Sequence, residues 1–148
     1  MKEQLKLENQ LCFKYYVISK EIIRKYKPLL EPLKLTYTSY ITMLVLWEKD
    51  HITIKDLGES LTLDSGTLTP LLKKLEKIGY IKRVRSNEDE RNIYICLTDK
   101  GNELQKKAQD IPFQISKAIF DESLISEEGF RRRKAMLDEV FELVISKK

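Results

Sequence analysis

The stretch from Asp64 to Leu97 constrains this chain most, because its hydrophobic period changes halfway along. Leu68, Leu71, Leu72, Leu75 and Ile78 recur at the steps that line one face of an α-helix. Asp64 stands where a carboxylate takes up free amide N–H groups of a first turn, and Gly79 where a residue without Cβ closes the last one. Pro70 falls inside this helix and removes a backbone hydrogen bond, so propensity alone starts the helix nearer Thr69. Beyond Gly79 the period becomes two. Tyr80–Arg85 and Asn92–Leu97 are rich in β-formers, the second alternating around Ile93, Ile95 and Leu97, and the polar link Ser86–Arg91 predicts an exposed hairpin tip.

The flanks fit around that unit. Leu11, Tyr15, Ile18, Ile22, Tyr26 and Leu29 predict a helix from about Leu7 to Leu30, with Pro28 near its end and Pro32 stopping it. A second helix is expected from Thr36 or Thr38 to Glu48, presenting Tyr40, Leu44 and Trp47. His51–Ile54 is short and β-branched, and Asp56–Leu61 predicts a small helix. Thr98 can cap a helix running through Leu104, Ala108, Ile111, Ile115 and Ile119, and a last helix carries Phe130, Leu137, Val140, Phe141, Val144 and Ile145. The fold class is therefore mainly α with a small β-hairpin. Residues 36–98 form a winged helix-turn-helix, and residues 1–35 and 99–148 form helical flanks. Long apolar helices at both ends of a 148-residue chain need a partner to bury them, and a homodimer supplies one.

The net charge of +4 is modest, but its distribution is not even. Lys73, Lys74, Lys77, Lys82, Arg83 and Arg85 face only Glu76 between Leu71 and Arg85, whereas the part from Gly101 onward is balanced. A local basic excess on a helix and hairpin is the footprint of a polyanion, here double-stranded DNA. At the head of the helix Ser65, Thr67 and Thr69 are short hydroxyls able to meet base edges, and Gly66 allows close backbone approach. Lys73 and Lys74, a turn further on, would reach phosphates. The bland alternative makes Ser65 and Thr67 caps and the lysines a solvated face. Arg131–Lys134 reads as a solvated face or a subunit contact.

No apolar run is long enough for a membrane span, and Met-Lys-Glu-Gln opens no signal peptide, so a cytoplasmic location is expected. Two distant cysteines then predict thiols rather than a disulfide. A single histidine, His51, without a paired nucleophile motif offers neither triad nor metal cluster, and no cofactor motif is present. A thiol peroxidase built on Cys12 is the enzyme alternative.

Leu63–Glu76, Asp89-Glu-Arg91 and Leu97-Thr-Asp-Lys-Gly101 together resemble the MarR family of repressors. Leu7-Glu-Asn-Gln-Leu-Cys-Phe13 with Leu35-Thr-Tyr37 is similar to its organic-hydroperoxide sensor branch, OhrR, whose features regulators of the SarZ and MgrA type share. The likeness spans nearly the whole chain and weakens after about Ile111. It implies a dimer on a pseudo-palindromic operator, with Arg91 entering the minor groove and Asp89 orienting it, although Glu88, Asp89 and Glu90 crowd that tip with anions. It also makes Cys12 a redox sensor, with Tyr26 and Tyr37 reaching it across the dimer interface and Tyr16 one turn along its own helix. An organic hydroperoxide would give a sulfenic acid, and a low-molecular-weight thiol a mixed disulfide. Cys96 does not match the resolving position of two-cysteine relatives. From spacing alone Cys12 is a core cysteine, and a regulator released by a small aromatic ligand remains the alternative within the family.

Overall fold

The computed structural model describes residues 2–85, 92–119 and 126–145, and the chain divides into two compact units, 1–111 and 112–148. In the first unit, two 3-10 turns, Glu3–Leu5 and Leu7–Asn9, precede helix α1, Leu11–Leu30. The helix thus begins at Leu11 rather than Leu7. The Asn9 amide donates to the Glu3 carbonyl (2.9 Å) and the Gln10 amide to the Gln4 carbonyl (2.7 Å), and these bonds occupy backbone groups that a longer helix would use. Pro28 is tolerated near the end. Pro32 follows in the 3-10 turn Glu31–Leu33, which closes on Lys34 at φ 57°.

Helix α2, Tyr37–Glu48, starts on Thr36, whose hydroxyl accepts the Ser39 N–H (3.3 Å). Its buried face is Ser39, Tyr40, Thr42, Met43 and Leu46 rather than the expected Tyr40–Leu44–Trp47, and Leu44 is 41% exposed. The segment is apolar on nearly every side, so periodicity selects no face. Thr42 enters the core because its hydroxyl donates to the Thr38 carbonyl (2.8 Å). Strand β1, Ile52–Thr53, leads into α3, Ile54–Leu61, capped by the Thr53 hydroxyl accepting the Asp56 N–H (3.1 Å).

Helix α4, Ser65–Ile78, begins at the Asp64 cap and not near Thr69. Pro70 would clash with the carbonyl of residue 66 in a regular helix, and that residue is glycine, which leaves the backbone room to adjust. Gly79 ends α4 at φ 86°, its N–H reaching the Leu75 and Glu76 carbonyls. Strands β2, Ile81–Arg85, and β3, Ile93–Leu97, pair antiparallel with Ile81 opposite Leu97 and Arg85 opposite Ile93. The hairpin gains a third strand: β1 pairs with β3, giving the order β1-β3-β2. With β3 central, Ile95, Cys96 and Leu97 are all buried, so the alternation read from the sequence does not carry through to burial.

Helix α5, Asp99–Ala108, is capped by the Thr98 hydroxyl, which accepts the Gly101 N–H (3.1 Å) and donates to the Gly79 carbonyl (2.6 Å). The expected single helix through Ile119 is two, because α6 starts afresh at Ile111. Pro112 lacks the N–H that would continue α5 and would meet the Ala108 carbonyl. Leu30, Met43, Leu46, Leu57, Leu68, Leu72, Leu75 and Ile95 form the core of this unit, each burial contributing roughly 1.5–3 kcal/mol.

The second unit holds most of α6, Ile111–Ile119, and α7, Glu127–Ile145. No residue of α7 is buried, and Phe130, Leu137, Phe141 and Val144 are each at least half exposed. Arg131 and Lys134 pair along the helix with Glu127 (3.4 Å) and Asp138 (2.6 Å). No helix of the described residues is long and apolar enough to cross a membrane.

Candidate nucleic-acid interface and thiol site

The Asp64 carboxylate accepts the Thr67 N–H at 2.8 Å and the Thr67 hydroxyl at 3.3 Å. These bonds, the backbone one foremost, hold its acid below the ordinary range. The Thr69 hydroxyl donates to the Ser65 carbonyl (2.7 Å). The proposed base-facing hydroxyls are therefore unequal: Thr67 and Thr69 commit their protons within the helix and present acceptors, while the Ser65 hydroxyl has no partner among the described residues. All three are exposed. A Cβ on Gly66 would lie 3.1 Å from the Asp64 carboxylate, so this turn is tight around its cap.

Leu68, Leu72 and Leu75 turn inward, which leaves Lys73, Lys74 and Lys77 on the exposed side of α4. The basic cluster is smaller than the sequence count. Arg83 donates through Nε to Glu76 (2.9 Å) and through a terminal nitrogen to the same oxygen. Lys73, Lys74, Lys77, Lys82 and Arg85 form no ion pair with a described residue.

The wing strands are anchored from outside. The Asp50 carboxylate accepts the Leu97 N–H and the His51 N–H, both at 2.8 Å. His51, at φ 59°, stacks on Tyr94 with centroids 4.1 Å apart. Asp89 and Arg91 lie outside the described residues. Neither the Asp50 anchor nor the Glu76–Arg83 pair was foreseen, since both join residues of separate elements.

Cys12 is exposed in the first turn of α1. Tyr26 and Tyr37 do come together, their rings 4.8 Å apart, and Tyr40, unforeseen, joins at 5.8 Å from Tyr26. Burial, then the neighbouring Tyr37, pushes the Tyr26 phenol up, so it stays a protonated donor at neutral pH. Within one chain this cluster does not meet Cys12: Tyr26 lies fourteen positions beyond Cys12 on the same helix, about 21 Å along the axis. Tyr16, one turn from Cys12, is exposed beneath the Lys20 ammonium, 5.6 Å from its ring. Cys96 is buried, and burial, then Asp50, raises its thiol.

A family model described as transcriptional regulator SarA/Rot matches residues 24–108. The organic hydroperoxide resistance transcriptional regulator of Bacillus subtilis is 54% identical over 110 residues, 74% of this chain and 75% of that protein. The HTH-type transcriptional regulator SarZ of Staphylococcus epidermidis is 49% identical over 122 residues, 82% of this chain and 80% of that protein. Among solved structures, reduced AbfR bound to DNA has a TM-score of 0.78 at 34% identity, covering 97% of this chain and 98% of that chain. Overoxidised AbfR bound to DNA has a TM-score of 0.71 at 36% identity, covering 93% and 97%. MarR, at 20% identity and a TM-score of 0.76 over 92% of this chain and 98% of that chain, shares the fold.

Proposed function

Because the chain belongs to the MarR family of transcription regulators, in the branch of the organic hydroperoxide resistance regulator and SarZ, we propose that it is a dimeric DNA-binding regulator, a repressor, switched by oxidation of Cys12. The observation that carries the DNA half is α4. Its first two turns expose Ser65, Gly66, Thr67 and Thr69, its outer flank carries Lys73 and Lys74, and a strand pair stands beside it. The helix would read base edges in the major groove while the lysines hold phosphates. Asp89 and Arg91, which lie between β2 and β3 in the sequence, would serve the minor groove.

The thiol half rests on the separation just described. Tyr26 lies about 21 Å along α1 from Cys12, and Tyr37, at the start of α2, packs against Tyr26, so these two phenols would reach the thiol only from another subunit. The Cys12 thiolate would attack the peroxide oxygen, releasing an alcohol and leaving a sulfenic acid. A small thiol would then displace water to form a mixed disulfide. Such a regulator works in the cytoplasm, beside the chromosome and a reduced thiol pool. The relatives carry the names of transcription regulators, and steady-state hydroperoxide consumption by the purified protein would favour the peroxidase alternative.

The test is binding to a duplex selected by the protein from a random pool, with half-sites about one helical turn apart. Four lysine–phosphate contacts per dimer give a log–log salt slope near −3.6, roughly 0.9 per contact. A flat salt response would remove the DNA-binding proposal. One observation favours a second reading, release by a small aromatic ligand. A groove of about 610 Å³ has an apolar floor of Ile23, Leu30, Leu35 and Ile78 with Lys27 and Lys74 beside it. Release of a Cys12→Ser protein by such a ligand, with no response to peroxide in the parent, would decide for it.

A further inference from the structure

Glu76 sits in the last turns of α4 and Arg83 in the middle of β2, an edge strand of the sheet. Their contact is more than one ion pair. Arg83 donates Nε–H to Glu76 Oε2 at 2.9 Å and a second guanidinium N–H to the same oxygen, and its backbone N–H donates to Oε1 at 3.3 Å. One carboxylate thus grips both the side chain and the outer edge of the strand. The side chains are 31% and 35% exposed, so the pair adds little to global stability. What it can do is geometric.

Between α4 and β2 the chain passes only Gly79, in the left-handed region, and Tyr80. β2 is bonded to β3 on its inner side, and on its outer side the Glu76 carboxylate takes the place of a further strand. Thr98 pins the Gly79 and Tyr80 carbonyls at the base of the strand, and the Glu76 grip is the restraint further out along it, which a swing or twist of the wing relative to α4 would have to break. The same contact cancels a positive charge lying between Lys82 and Arg85.

We propose that Glu76 is a positioning residue for DNA recognition: through Arg83 it fixes the angle between α4 and the wing, and it withholds the Arg83 charge from phosphate. This rests on α4 and the wing being the DNA-binding surface. A protein that must fill two grooves at once loses specific affinity when the angle between its two probes relaxes. Non-specific affinity, which is set by cation count, has no such requirement.

The experiment uses the full-length reduced protein and two duplexes, one selected by the parent from a random pool and one of the same composition in scrambled order. Affinities are measured across a salt series. Glu76→Ala is expected to bind the scrambled duplex several-fold more tightly, with a slope steeper by about 1.8 per dimer. It should bind the selected duplex about tenfold more weakly, the loss of one readout contact. Arg83→Ala should lower the ratio of specific to non-specific affinity in the same way while leaving the slope unchanged. If Glu76→Ala fails to fold, Arg83→Lys, which keeps the charge without the two-nitrogen fork, should show the lowered ratio at the parent slope. An unchanged ratio in the folded variants, or a shallower slope in Arg83→Ala, overturns the proposal, the latter making Arg83 an ordinary phosphate contact. Loss of salt-dependent binding in the parent overturns the DNA-binding reading with it; the brace alone fails when the parent binds normally.

Discussion

A Cβ at Gly101 would stand 2.1 Å from the Tyr80 carbonyl oxygen and 3.2 Å from Leu97. The obstacle is backbone, and it is fixed from several directions: the Thr98 N–H bonds the same carbonyl (3.1 Å) and the Trp47 indole donates to the Gly101 carbonyl (2.9 Å). Gly101→Ala is therefore expected to lose about 3 kcal/mol, the upper range for overpacking, read as a lowered urea midpoint. Gly66 makes the useful contrast. Its neighbour at 3.1 Å is the Asp64 cap oxygen, a side-chain atom that need give only a few tenths of an ångström while keeping the Thr67 bond, and alanine's higher helix propensity offsets that cost. Gly66→Ala should unfold close to the parent yet bind the selected duplex more weakly, because the added methyl stands on the surface proposed to face DNA. Equal loss of stability in both variants would mean that position 66 is structural. The sequence marks both glycines, but not why they differ: the crowding at Gly101 comes from Tyr80, twenty-one residues away and on another element.

Among the elements, the caps were the most legible feature. Asp64, Gly79 and Thr98 act where they were expected to, because a cap needs only its own turn. What escaped was set at longer range or by competition between local signals. Pro70 suggested a later helix start, but Asp64 and Gly66 outweighed it. The run Leu104, Ala108, Ile111, Ile115 kept helical spacing across Pro112 and hid the break between α5 and α6. The pairing of β1 with β3, the Glu76–Arg83 grip and the place of Tyr40 beside Tyr26 join distant residues with no periodic trace. The Asp64 cap also carries a pH dependence. Its folded acid lies below the ordinary value of 3.8, so its stabilisation is fully present above that value and is lost as pH falls through the lowered one. Asp64→Asn keeps an accepting oxygen at the cap without titrating. Denaturant midpoints at about pH 7 should then nearly coincide, and below about pH 4 the parent should lose stability more steeply than the variant. Parallel acid limbs would show that the carboxylate charge contributes nothing to the cap.

At the scale of the molecule, the apolar residues Leu5, Leu7, Leu11, Phe13 and Ile18 are exposed at the N-terminal end of the first unit, and those of α7 are exposed in the second. Surface of that extent and character calls for a second copy, so sedimentation should report twice the 17.5 kDa chain mass. The same dimer is what the thiol switch requires, and this gives a test that a single chain cannot pass. Cys12→Ser should hold DNA through hydroperoxide treatment, while Cys96→Ser should be released like the parent, since the buried Cys96 thiol is raised away from its reactive form. A protein with Tyr26→Phe and Tyr37→Phe keeps its thiol but lacks the two phenol donors, and should oxidise slowly at Cys12. Neither Cys12→Ser nor the double tyrosine variant is then a competent sensor. Mixed into one dimer, however, the intact Cys12 of one subunit faces the intact tyrosines of the other, so one of the two sites is rebuilt. Intact-mass measurement after hydroperoxide and a small thiol should show adduct forming on the tyrosine-variant subunit at the parent rate, and none on the Cys12→Ser subunit. Slow oxidation in the mixed dimer would mean that Tyr26 and Tyr37 act within their own chain, or not on Cys12 at all. Given about 21 Å of helix between Cys12 and Tyr26, against which Tyr37 packs, that outcome would remove both residues from the sensor and leave Cys12 to be activated by groups nearer its own turn.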